Sequence, residues 1–80
     1  QALNLMNSPF VVDQAEHLAN RAKMESGNNL KKSVARVFEL IFTREPSKDE
    51  LQASLVVAKE RGLNIVCRAL INSNEFAFLP

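Results

Sequence analysis

Only two glycines and three prolines punctuate the chain. Pro9, Gly27, Pro46 and Gly62 stand between runs whose apolar residues recur three or four positions apart. That spacing gathers apolar side chains onto one face of an α-helix, and no run alternates in the two-residue period of a strand. The chain is therefore expected to be all-α. The expected architecture is an irregular orthogonal bundle of four main helices, with a short helix in residues 2–6 ahead of them, all in a single domain over residues 1–80.

The first main helix should begin at Ser8-Pro9, an N-cap followed by proline at the first helical position, where a missing N–H is no loss. It is expected to reach residue 24 or 25, with Val11, Ala15, Leu18 and Ala22 on its inner face and Ser26-Gly27-Asn28 as its stop. The second, over residues 29–43, carries the densest apolar surface. Leu30, Val34, Val37 and Ile41 form its stripe, widened by Phe38, Leu40 and Phe42. It should be the central helix, with Phe38 and Ile41 as almost fully buried anchors. Glu45-Pro46 breaks it, because proline disfavours helical geometry in the residue before it. Ser47 and Glu50 have the spacing of a capping box, opening a third helix that runs to residue 61 and stops at Gly62 in the left-handed conformation. A fourth, over residues 64–72, presents Ile65, Val66, Ala69 and Leu70.

Two near-echoes frame these helices, Asn7-Ser8-Pro9-Phe10 and Asn72-Ser73-Asn74-Glu75-Phe76. Asn and Ser hydrogen-bond local backbone and so end one helix or start the next, and the Phe that follows returns the chain to the core. Phe10 and Phe76 are accordingly expected to be core anchors. Arg44 and Glu75 are the expected clamp, the guanidinium forking onto the carboxylate or onto the carbonyls of the last turn if the last helix lies beside the second, with a binding site for a partner's backbone as the functional alternative. Asn7, Asn72 and Asn74 are candidates for the polar rim of an interaction surface.

Composition narrows the chemistry. With 46% apolar residues the chain can build one core, at a size where such a core is marginal without disulfides, metal or a partner. Cys67 is the only cysteine, so no intrachain disulfide and no haem- or zinc-binding cysteine pair can form. A formal charge of +1 supplies no field toward nucleic acid or an anionic membrane. Lys31, Lys32, Arg36 and Arg68 are the residues a nucleic-acid-binding module would use, but Glu39 follows Arg36 at pairing distance and the helix is too apolar for a groove. A cryptic hydrolase would need His17, with Asp13 one turn earlier, as base, or Cys67 as nucleophile. His17 instead reads as a solvent-facing partner of Asp13, and Cys67 as a small buried hydrophobe. The expectation is a non-enzyme with no cofactor, metal, nucleic acid, membrane insertion or small-molecule substrate.

The order of segments carries a resemblance. Residues 3–12, then Arg44-Glu45-Pro46-Ser47 with Glu50-Leu51, then residues 69–76 resemble the C-terminal part of the bacterial domain-of-unknown-function family fifteen fifty-three. That family is best known from large planctomycete proteins that also carry cytochrome c-like modules. The resemblance implies a helical accessory domain at the C-terminal end of a larger exported or envelope-associated protein, with no assigned activity and its haem bound elsewhere. On that basis the expected role is interaction, with the preceding domain of the same chain or with another protein.

Overall fold

The computed structural model describes the backbone of residues 7–77 and the side chains of residues 7–73. It is an irregular bundle of four helices, α1 (Pro9–Glu25), α2 (Leu30–Phe42), α3 (Lys48–Arg61) and α4 (Leu63–Ala77), with no strand among the described residues. The short helix expected in residues 2–6 lies outside that range. Both α2 and α4 touch all three other helices, whereas α1 and α3 do not touch each other, and the most extensive interface is α1 on α4. The centre expected of α2 alone is thus shared with α4.

The first three helices each start where a side chain satisfies a backbone N–H that the first turn leaves free. The Ser8 hydroxyl accepts from the Val11 N–H at 3.2 Å ahead of Pro9, and the Asn29 carbonyl oxygen Oδ1 accepts from the Lys32 N–H at 2.9 Å. At Ser47 the capping box is complete. The Glu50 N–H donates to Ser47 Oγ at 3.1 Å, and the Ser47 N–H donates to Glu50 Oε1 at 2.8 Å.

The core grows from narrow stripes. In α1, Val11, Ala15, Ala19 and Ala22 are buried, and their small side chains let the neighbouring axis come close. Leu18, expected on this stripe, is half-buried beside it. In α2, Val34, Val37 and Phe38 are buried, Phe38 to 2% exposure. Leu63, Val66 and Cys67 of α4 and Ala58 of α3 complete the cluster. Ser33, the one buried polar side chain among the described residues, is fully enclosed. Its hydroxyl lies 2.6 Å from the Ser26 hydroxyl, which in turn donates to the Ala22 carbonyl at 2.7 Å. This short chain of hydroxyls fastens the α1–α2 turn, where Gly27 and Asn28 both take left-handed φ values of 65° and 64°.

Several expectations are corrected. Phe10 is 62% exposed rather than a core anchor, because it lies roughly 100–180° round α1 from the Val11–Ala22 stripe. Ile41 is half-buried, since α2 stops one residue later and leaves it at the margin of the core. The second near-echo is not a joint: α4 runs unbroken from Leu63 through Asn72 and Ser73 to Ala77. The helix penalty of Asn and Ser is only about half a kcal/mol each, less than packing along α1 and α2 returns. Phe76, the other expected anchor, has its side chain outside the described residues. Gly62 stops α3, but at φ 102°, ψ 154°, an extended region open essentially to glycine alone. A Cβ there would meet Asn64 Oδ1 at 3.0 Å, so this single residue links α3 to α4 in a way no other side chain allows.

Replacing Phe38 by Ala is expected to destabilise the chain by about 3–5 kcal/mol, while Phe10→Ala stays within about 0.5 kcal/mol. Urea midpoints of the two variants check this, and equal losses would place the core on the wrong face of α1.

Candidate functional site

The densest polar construction lies where α2 turns into α3. Thr43 caps α2 in the left-handed region at φ 55°, rare for a β-branched residue, and its hydroxyl donates to the Phe42 carbonyl at 2.6 Å. The turn throws Arg44 back over the end of α2. Its guanidinium carbon sits 5.8 Å from the Phe38 ring centroid and 5.4 Å from that of Phe42, within cation–π range of both. From there Arg44 forks onto Glu50: Nη1 donates to Oε1 at 2.7 Å and Nη2 to Oε2 at 2.8 Å, with Nη1 also donating to the Glu45 carbonyl at 3.0 Å. The Arg44 guanidinium therefore closes on Glu50, within the joint; the side chain of Glu75, the expected partner, lies outside the described residues. Arg44 first, and the Ser47 N–H second, hold the Glu50 carboxyl down at about 2.

A second carboxylate anchors the other turn. Glu25, the last residue of α1, accepts from Arg21 Nε at 2.9 Å and from Arg36 Nε at 2.6 Å, and both lower its pKa, Arg21 the more. Arg36 reaches Glu39 as well, at 3.5 Å. This divides the basic set of the nucleic-acid reading. Arg36 is neutralised by carboxylates, and Arg68 has its Nε buried without a hydrogen-bond partner among the described residues.

His17 and Cys67 occupy opposite environments. His17 Nε2 is 3.7 Å from Asp13 Oδ1 with both side chains exposed. Cys67 is fully buried, and burial pushes its thiol up to about 12, which keeps it protonated and poorly nucleophilic at neutral pH. No cluster of three or more metal-ligating side chains occurs among the described residues, and no helix among them is long and apolar enough to cross a membrane. Of the three asparagines expected on a rim, Asn7 is exposed. Asn72 is half-buried, its Oδ1 enclosed without a partner among the described residues. The side chain of Asn74 lies outside the described range. Two hollows open on α3. One, of about 150 Å³, lies against α4 and is lined by Ala53, Ser54, Val57, Val66, Ala69 and Leu70. The other, of about 430 Å³, lies against α2 and is lined by Lys31, Lys48, Leu51, Gln52 and Leu55.

Residues 1–58 match the family described as "Protein of unknown function (DUF1553)". The chain belongs to this family. The matched residues take in α1, α2 with its Arg44–Glu50 joint, and α3 as far as Ala58, and leave α4 outside. Residues 69–76, the last of the three segments that carried the resemblance, are thus not in the matched part. No curated protein and no solved structure matches the chain.

Sequence reasoning assigned Glu50 to its capping box and looked for the partner of Arg44 in the tail after the last helix, so it missed that one carboxylate does both jobs. The available signal was spacing: Arg44 and Glu50 flank a proline turn short enough to fold one onto the other. Ser33 was missed entirely, being a polar residue within an apolar stripe.

Because the Glu50 carboxyl falls from 4.5 to about 2 in the folded chain, its stabilising contribution is fully present above pH 4.5 and disappears as the pH drops through 2. Glu50→Gln should therefore melt below wild type at pH 7, with the gap closing between pH 4.5 and 2. Melting curves across that range check this, and a gap independent of pH would remove the clamp as its source.

Proposed function

We propose that this chain is a non-catalytic helical domain that acts as a structural and docking element of a larger protein, binding the domain that precedes it in the same polypeptide. The observation that carries this reading is Phe10, a large aromatic 62% exposed in the first turn of α1. An exposed ring gains nothing in water, whereas burial against a partner stabilises by about 1.5–3 kcal/mol. The reading is supported too by where the polar side chains go: Ser8, Asn29, Ser47, Ser26, Ser33, Glu25 and Glu50 all hold helix ends or turns. None of these is positioned against a hollow as an acid, base or nucleophile would be.

The family resemblance supports a bacterial parent of the planctomycete type, exported or attached to the envelope, with any haem carried by another module. In this role the domain takes no cofactor, substrate or nucleic acid of its own. Phe10→Ser is expected to leave the melting of the isolated chain unchanged and to weaken its docking in the parent by about 1.5 kcal/mol, read as a lowered unfolding transition of the parent. A parent whose stability and assembly are unaffected both by Phe10→Ser and by removal of the whole domain would overturn the reading.

A further inference from the structure

A second surface points to a different contact. Leu51, Gln52 and Leu55 lie three, four and seven residues after Lys48 along α3, so the four form a single row roughly 10 Å long on one face. Lys31, in the first turn of α2, faces this row across a trough of about 430 Å³. The floor is apolar: Leu51 and Leu55 are half-buried and packed against the core. The borders are cationic and polar, and Lys31, Lys48 and Gln52 are all exposed.

The charge on those borders is uncompensated. Arg21, Arg36 and Arg44 are each held by a carboxylate, but neither Lys31 nor Lys48 has an ion-pair partner among the described residues. Asp49 shares a turn with Lys48 but does not line the trough, and Glu50 is taken up by Arg44 and Ser47. We propose that this trough receives an acidic amphipathic segment of a partner polypeptide, an apolar side chain resting on Leu51 and Leu55 and flanking carboxylates on Lys31 and Lys48. Charge complementarity selects the acidic flanks, and the leucine floor selects the apolar centre. A segment of polypeptide fits better than a small amphiphilic acid, because the trough is open along its length. Small ligands are held where most of their surface is enclosed. This contact is separate from the Phe10 surface and stands or falls without it.

The test is an NMR titration of the chain with a short helix-forming peptide carrying Glu, Leu, Leu and Glu at positions i, i+3, i+4 and i+7. The expected result is amide shifts centred on Lys31, Lys48, Leu51, Gln52 and Leu55 that weaken with added salt. The double variant K31E/K48E, with its fold verified by melting, should bind roughly tenfold or more weakly. K23E/R61E carries the same change in net charge, on α1 and on the opposite face of α3, and should bind within about twofold of wild type. Three outcomes would overturn the proposal: equal binding of a peptide with Lys for Glu, shifts centred elsewhere on the bundle, or sodium octanoate binding the same residues as tightly as the peptide. The last would make the trough a small-ligand pocket.

Discussion

The burial of Phe38 is the interaction on which the other parts depend. Its ring closes the Val34–Val37 face of α2 against the shared core, packs 5.7 Å from the Phe42 ring and is covered on its outer side by the Arg44 guanidinium, 5.8 Å from the centroid. Through that one side chain the apolar core is continuous with the polar joint that reverses the chain. Without the ring there would be a void between helices, and the Arg44 guanidinium would keep only Phe42 of its two aromatic contacts. A domain this small has little stability to spare, so coupling core and joint through one residue makes the fold cooperative and also vulnerable there.

Two carboxylates serve as the fixed points of the turns, and both are used more than once. Glu50 satisfies the Ser47 N–H and both nitrogens of Arg44, and Glu25 accepts from one arginine on its own helix and one on the next. Both pairs are open to solvent, so their value lies in geometry more than in Coulomb energy: each orients one helix relative to its neighbour. The α3–α4 link uses no such pair. There a single glycine in a backbone region closed to other residues does what the polar turns do elsewhere.

The same division organises the surface. Charges that face the turns are consumed in holding them, leaving Phe10 on α1 and the lysine-bordered trough on α3 as surfaces with unspent interaction capacity. Only Ala58 of α3 is fully buried, so this helix contributes least to the core and keeps most of its apolar residues accessible. The buried cysteine is a neutral thiol, and the histidine is exposed beside Asp13.

How much of this was legible in the sequence follows from range. Ser8-Pro9, Asn29, Ser47 with Glu50, and the apolar stripe of α2 act within one or two turns of chain, and residue spacing alone determined the caps, the all-α class and the number of main helices. Two of the three segments that carried the family resemblance, residues 3–12 and 44–51, lie in the part that matches the DUF1553 family. Tertiary structure decided the rest. It carried α4 through Asn72 and Ser73, because packing on α1 and α2 outweighs a weak local preference. It turned Phe10 outward, because the alanine stripe of α1 and not the aromatic faces α4. It gave Arg44 to Glu50, because a guanidinium's partner is set by where a left-handed Thr43 throws it. Sequence encodes the short-range hydrogen bonds directly, whereas which face is covered, and by what, depends on helices that meet only after the chain has folded.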